Sequence, residues 1–497
     1  MRLALLWAYG APSPAIADEF AYLLGADTFA HGRLTNPPHP MPAFFASPEI
    51  LVEPTYSPKY PPGQALTLAA GQVLFGDPFY GVVIEGAAMI FLLCLMLCLW
   101  TAPWPAAIVS TALAVFFDPP MYWVNTYWGG CLAVCGGALL LIAIGWFRIS
   151  ARPFTGCIFA AGCAVLFVTR PYEGGMLVLA LLFTGALYFA RARQPGQRHK
   201  LIVAAAYAIP VMAAAAALTA VYNRAVTGSP FTLPYSVYLA KFQMAPAFWF
   251  QPLRTPEPAF PNLRFAANQG LTGRDVATYL EVQETRFGYA GHVKSGVRLI
   301  FGLLPNLPLL LLGIGFADRR VWFSLALLGM GIFAASLEIW QNYHYMAPSI
   351  AALALLWGVL VDRALQFRMR RTPVGAAAVG LIFLVVSATP LLATARYGAY
   401  ASAELHSWAH DRVETIRQLA AAGKPALVFV RYPSPVWNVD AEWVYNGADI
   451  DHQPVILAHD LGNAENHRLL EYYPDRTAWL LTFDPNGSTH FLNPYPR

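Results

Sequence analysis

GVVIEGAAMIFLLCLMLCL, residues 81–99, holds one charged side chain, Glu85, close to its start. A helix needs about 20 apolar residues to cross the hydrocarbon core of a bilayer, and this run meets that length. Comparable runs recur at 105–117, 129–147, 155–169, 175–190, 201–221, 297–316, 321–338, 345–361 and 374–395. Hydrophobic residues make up 57% of the 497-residue chain and charged residues only 12%. A soluble domain carries about 25% charged residues. The pattern predicts an α-helical polytopic membrane protein with about ten or eleven transmembrane helices.

The loops between these runs sort by charge. Arg148 and Arg152 share one short loop, and Arg191, Arg193, Arg198 and Lys200 another. Arg319 and Arg320 fill a third, and Arg363, Arg368, Arg370 and Arg371 a fourth. If the spans alternate, all four loops fall on one side. The positive-inside rule makes that side cytoplasmic. Alternation holds only if 63–76 does not cross, so it is read as an interfacial or re-entrant helix. The outer face then carries segment 18–80, the loop 118–128, the turns 170–174 and 339–344, the long loop 222–296 and the tail from 396. Leu3 to Tyr9 predicts a first helix that is short or clipped by a late start codon. The alternative is a cleaved leader, since Ala15-Ile16-Ala17 resembles a signal-peptidase site.

The chain divides on this reading into a transmembrane part, 1–395, and a soluble extracytoplasmic tail, 396–497. In the tail, 402–422 predicts an amphipathic helix. Ala426 to Val430, Val455 to Ala458 and Ala478 to Thr482 predict strands around a helix at 463–473. Strand, helix, strand at this spacing predicts a small α/β domain with a short parallel sheet. No Gly-rich phosphate loop follows these strands. The net charge of +4 includes no basic patch interleaved with aromatics, which argues against nucleic acid as a partner. All six cysteines lie in apolar runs, with Cys94/Cys98 and Cys131/Cys135 spaced i,i+4. Without accompanying His or carboxylate they read as small residues at helix contacts.

The polar residues that could carry chemistry ring the outer face. No charged residue or histidine falls near the middle of a span, where a permeation path would need one. That argues against a flippase or transporter and for a reaction at the interface. Asp18 and Glu19 open a helix-like stretch; Asp18 reads either as its N-cap or as a general base or metal ligand. Lys59 lies in the stiff, proline-rich stretch 54–64, placed either to meet a phosphate headgroup or to snorkel to the interface. Tyr127 and Trp128 end an aromatic loop and fit an aromatic belt or a platform for a sugar ring. Arg170 and Glu173 occupy one outer turn, and Tyr343 and His344 stand at the entrance of a span. The same cations would also serve a protein that only binds a lipid carrier.

The chain resembles the GT-C superfamily of membrane glycosyltransferases, which includes protein O-mannosyltransferases and lipid A aminoarabinose transferases. The loosely defined RgtA/B/C/D-like group is the nearest. The resemblance rests on Asp18-Glu19, Lys59-Tyr60-Pro61-Pro62-Gly63-Gln64, Arg170-Pro171-Tyr172-Glu173-Gly174, Thr227-Gly228-Ser229-Pro230 and His344-Tyr345-Met346-Ala347-Pro348, in that order. It implies a polyprenyl-phosphate sugar donor used at the outer face of the cytoplasmic membrane. The acceptor would be a glycan, a lipid or a protein. It implies Asp18, with Glu19 beside it, as catalytic. Lys59, Arg170 and His344 would meet the donor phosphate. Tyr60, Tyr127, Trp128, Glu173 and Tyr343 would line the substrate. A divalent metal is used by some members and not others, so the resemblance leaves it open. The short first helix departs from the pattern, and the tail carries no role that transfers.

Overall fold

The computed structural model describes residues 2–117, 122–191, 195–284, 311–395, 407–484 and 489–496. Six helices are long and apolar enough to cross a membrane: Phe79–Trp100, Cys131–Ser150, Pro171–Arg191, Gly196–Thr227, Arg319–Leu337 and Tyr343–Gln366. Shorter apolar helices cover Pro103–Phe117, Thr155–Phe167 and Val374–Ala388. The chain is therefore a multi-pass membrane protein, and these helices coincide with the runs read from hydropathy. Of the run at 297–316, only Leu311 to Phe316 lie among the described residues, with Leu312–Gly315 helical. The 63–76 segment is a helix, Gly63–Phe75.

The chain forms two compact units, each built from three stretches of sequence. The first comprises 1–10, 81–219 and 284–398 and holds the membrane helices. Its most buried helix is Ala347–Gln366, which the apolar residues of its neighbours surround. Close approach to Cys131–Ser150 requires Gly137, where a methyl group would run into the Pro348 carbonyl. Charge gathers at one end of this unit. Arg320 pairs with Asp318 at 2.7 Å and Asp362 at 3.3 Å, and Arg363 pairs with Asp318 at 2.7 Å. Trp100 receives Arg148 on its ring at 4.3 Å and Arg320 on its carbonyl oxygen. Three of the four basic loops thus meet at one end of the helices, as alternation requires.

The second unit comprises 11–80, 220–283 and 399–497. The tail shares its core with two earlier segments. The tail's sheet has strands β3 (Ala426–Arg431), β4 (Val455–His459), β5 (Thr477–Phe483) and β6 (His490–Pro494), in the order β4-β3-β5-β6. β3 runs parallel to β4 and β5, as the strand–helix–strand spacing predicts, and β6 closes the edge antiparallel. Side chains alternate across a strand. Leu427 and Phe429 enter a core with Phe44, Ile50, Tyr238 and Phe265, while Val428 and Val430 face Leu419 and Trp443.

The 440–448 stretch fastens the tail to the Ala17–Ala30 helix. Tyr445 stacks on Phe20 with centroids 4.1 Å apart and planes 5° from parallel. The Ala448 amide donates to Asp27 Oδ2 at 2.7 Å, and the Tyr56 hydroxyl donates to the Asn446 carbonyl at 3.1 Å. Glu442 is buried and accepts from Arg264 at 3.3 Å and the Val444 amide at 2.8 Å. Arg264 also donates to the carbonyls of Pro435 (3.0 Å), Trp437 and Asn438 (2.7 Å), with Tyr432 under its guanidinium at 4.1 Å. Removing one partner of a buried ion pair costs about 3–5 kcal/mol. Arg264→Ala should therefore lower the melting temperature of the purified protein sharply. Arg264→Lys should not restore it, because one ammonium cannot reproduce the planar fork.

Candidate active site

The second unit assembles the first cluster from local rules. β1 (Ile50–Leu51) and β2 (Ser57–Pro58) pair antiparallel, with Ile50 opposite Pro58 and Leu51 opposite Ser57. The next position along this register sets Glu49 opposite Lys59, and the Lys59 amide donates to the Glu49 carbonyl at 3.1 Å. Side chains directly across an antiparallel pair share a face. The Lys59 ammonium and the Glu49 carboxylate accordingly form a buried ion pair.

Pro61 and Pro62 then turn the chain into the Gly63–Phe75 helix, whose Ala65 lies against Gly25. This packing delivers Tyr60 to the Ala17–Ala30 helix. There Asp18 and Tyr22 stand i,i+4, on one face. Tyr60 stacks on Tyr22 at 4.8 Å, donates its hydroxyl to Asp18 Oδ1, and lies 2.8 Å from Glu49 Oε2. Tyr235 and Tyr238, i,i+3 on the Pro234–Phe242 helix, place their rings 5.1 and 4.6 Å from the ammonium. Burial pulls the Lys59 ammonium down, but Glu49, Tyr235 and Asp18 outweigh it and hold it above the usual lysine value. Lys59 is cationic at neutral pH. Burial, then the Asp18 and Glu49 charges, push the Tyr60 hydroxyl well above its usual value, so it keeps its proton.

Asp18 is not the helix cap. The helix begins at Ala17, and Glu19 accepts from the amides of Ala15 at 2.8 Å and Ile16 at 3.2 Å. Adjacent helical residues diverge by about 100°, so the neighbouring carboxylates separate. Glu19 holds the helix start, and Asp18 faces Tyr60. Asp18, Lys59 and Tyr60 are brought together. Glu49, Tyr22, Tyr235 and Tyr238 join them, and sequence reasoning missed these four. The signals were the ten-residue Glu49–Lys59 spacing about a turn and the i,i+4 step from Asp18 to Tyr22.

The first unit holds the other predicted residues. Arg170 pairs with Glu173 at 3.5 Å and lies over the Tyr345 ring at 5.1 Å. The His344 ring lies 4.9 Å from Tyr345 and 4.9 Å from Trp128, and its Nδ1 bonds to the Tyr122 hydroxyl. Tyr343 meets Tyr122 edge-on at 5.4 Å. Arg170, Glu173, His344, Trp128 and Tyr343 are thus linked through Tyr122 and Tyr345. Tyr127 and Trp128 are buried rather than presented as an open platform.

Among the described residues no group of three or more His, Cys, Asp or Glu gathers as a metal site. At the Asp18–Glu49 cluster the donor set is two carboxylates with an ammonium paired to one of them. A divalent ion there would meet the charge of Lys59, so these residues do not fit one.

No protein-family model matches the chain, and no curated protein matches it. Among solved structures the chain is similar to ArnT from Cupriavidus metallidurans in the apo state. Identity is 14% and TM-score 0.49, over 97% of this chain and 91% of that one. It is similar to the same protein bound to undecaprenyl phosphate, with 15% identity and TM-score 0.49, over 98% and 92%. It is also similar to the archaeal oligosaccharyltransferase AglB from Archaeoglobus fulgidus, in complex with an inhibitory peptide and a dolichol-phosphate. There identity is 12% and TM-score 0.45, over 97% and 71%.

Proposed function

We propose that the chain is an inverting glycosyltransferase of the GT-C kind. It moves a sugar from a polyprenyl-phosphate carrier to an acceptor hydroxyl at the outer face of the cytoplasmic membrane. The observation that carries this reading is the cluster in which Tyr60 links the Asp18 carboxylate to the buried Glu49–Lys59 pair. A glycosyl phosphate has a good leaving group, so the reaction needs fixed positive charge at the departing oxygen more than a strong acid. Lys59 supplies that charge. The acceptor oxygen attacks the anomeric carbon as its bond to the phosphate oxygen breaks. The acceptor's proton passes to Asp18, and the phosphate leaves with the bonding pair. Attack opposite the phosphate inverts the anomeric centre.

The orientation follows from the positive-inside rule, which places the end holding Arg148, Arg320 and Arg363 in the cytoplasm. The tail and segment 18–80 then lie on the extracytoplasmic side. Arg170, in the first unit, is tested by itself: Arg170→Ala is expected to weaken carrier binding. The test is a panel of labelled polyprenyl-phosphate sugars offered to the reconstituted protein with total membrane acceptors. The expected result is consumption of at least one donor, with release of polyprenyl phosphate and an inverted glycoside. Consumption of nucleotide sugars instead, or a retained anomeric configuration, would overturn the reading.

A further inference from the structure

Glu49 connects the cation of the site to its base, and nothing in the reaction above gives it a task. One oxygen of its carboxylate, Oε2, takes the Lys59 ammonium and lies 2.8 Å from the Tyr60 hydroxyl. That hydroxyl also reaches Asp18. A phenol has one O–H, so Tyr60 serves one carboxylate fully at a time. Lys59 on the same Oε2 weakens Glu49 as a competitor for that O–H, which favours Asp18. The backbone of Glu49 has φ +71°, in the left-handed region that residues other than glycine seldom adopt. Such conformations persist where surroundings hold them, and they cluster at functional sites. The Glu49 amide donates to the Tyr238 hydroxyl at 2.9 Å, and its carbonyl accepts from the Lys59 amide at 3.1 Å. The main chain is thus fixed by contacts that do not involve the carboxylate.

We propose that Glu49 is a positioning residue that couples carrier binding to the strength of the base. The coupling rests on the reading of Lys59 as the phosphate contact. The carrier phosphate takes the Lys59 ammonium. Glu49 loses its counter-ion and accepts the Tyr60 hydroxyl more strongly. Tyr60 withdraws from Asp18, and loss of that hydrogen bond raises the affinity of the carboxylate for a proton. No bond to carbon or phosphorus changes in this step, and Tyr60 keeps its proton throughout. Asp18 is thus a stronger base once a donor is bound.

The test measures undecaprenyl phosphate binding in nanodiscs for wild type, Lys59→Ala and Glu49→Gln. Glu49→Gln keeps the shape and removes the charge that competes with phosphate. It should tighten binding on the order of tenfold, the scale for removing a like charge from a partly hydrated site. With a sugar donor the same variant should turn over more slowly, since a neutral amide draws the Tyr60 hydroxyl from Asp18 less strongly than a carboxylate does. A residue that served stability alone would not tighten ligand binding while slowing turnover. Glu49→Asn removes the same charge with a residue that tolerates left-handed backbone, and it answers the question if the Gln variant does not fold. Weaker binding in Lys59→Ala with tighter binding in the Glu49 variants is the expected result. Weaker binding in Lys59→Ala with unchanged or weaker binding in the Glu49 variants overturns the coupling and leaves the phosphate site standing. Binding indifferent to Lys59→Ala overturns both.

Discussion

Asp18→Asn is expected to reduce sugar transfer by about 10²–10⁴-fold, the range lost with a general base, while undecaprenyl phosphate still binds. The substitution is nearly isosteric. An asparagine carbonyl still accepts from the Tyr60 hydroxyl, so the stack of Tyr60 on Tyr22 need not move. What disappears is the capacity to take a proton. The helix start should be unaffected, because the amides of Ala15 and Ile16 are held by Glu19. Circular dichroism and melting temperature should therefore match wild type. Glu19→Gln makes the complementary case: a small loss of stability, within about 1 kcal/mol as for other helix-start contacts, and little change in turnover. Transfer assays on the two variants separate the adjacent carboxylates. Equal activity of Asp18→Asn and wild type would remove Asp18 from the mechanism.

Lys59→Met is expected to weaken carrier binding by about 10- to 100-fold, the worth of a charged hydrogen bond of about 1.5–3 kcal/mol. The single variant also strands Glu49 as a buried carboxylate without its partner, which costs about 3–5 kcal/mol in comparable cases. Its loss of binding could then reflect loss of folding. The double variant Lys59→Met/Glu49→Gln removes both charges and keeps both volumes, and a buried pair replaced as a pair is often tolerated. The double variant should melt near wild type and still fail to hold the phosphate. Recovery of binding in the double variant would show that Lys59 acts on the fold and not on the ligand. Three tyrosine rings around the ammonium explain why a lysine can be kept there in a buried site.

The membrane helices were legible in sequence because hydropathy over about 20 residues is a strong, local signal. The sorting of Arg148, Arg320 and Arg363 to one end was legible for a similar reason: it needs only counting and alternation. β3, β4 and β5 were legible from short β-branched and apolar runs with a helix between them. β6 was not, since His490–Pro494 has no such run and is held by pairing with β5. The packing of the tail against earlier segments was the least legible feature. Nothing local in 440–448 announces that Tyr445 stacks on Phe20, more than four hundred residues earlier.

The site shows the same limit. Asp18, Lys59 and Tyr60 were singled out by residue type and setting, and the fold brings them together. Glu49 was passed over because a lone acidic residue in a proline-rich loop carries no periodic signal. Its place opposite Lys59 comes from the two-residue ribbon of β1 and β2, too short to read from pattern. Glu19 and Asp18 were indistinguishable as a dipeptide. The first residue of the helix separates them, and helix boundaries are what sequence places least well.

The most direct test of a polyprenyl-phosphate carrier is equilibrium binding of undecaprenyl phosphate to the protein in nanodiscs, beside undecaprenol, which lacks the phosphate. Wild type should bind the phosphate saturably and undecaprenol far more weakly, and Lys59→Ala should lose most of that difference. Equal binding of both lipids, no saturable binding, or a phosphate preference undiminished in Lys59→Ala would contradict a carrier held by its phosphate at Lys59.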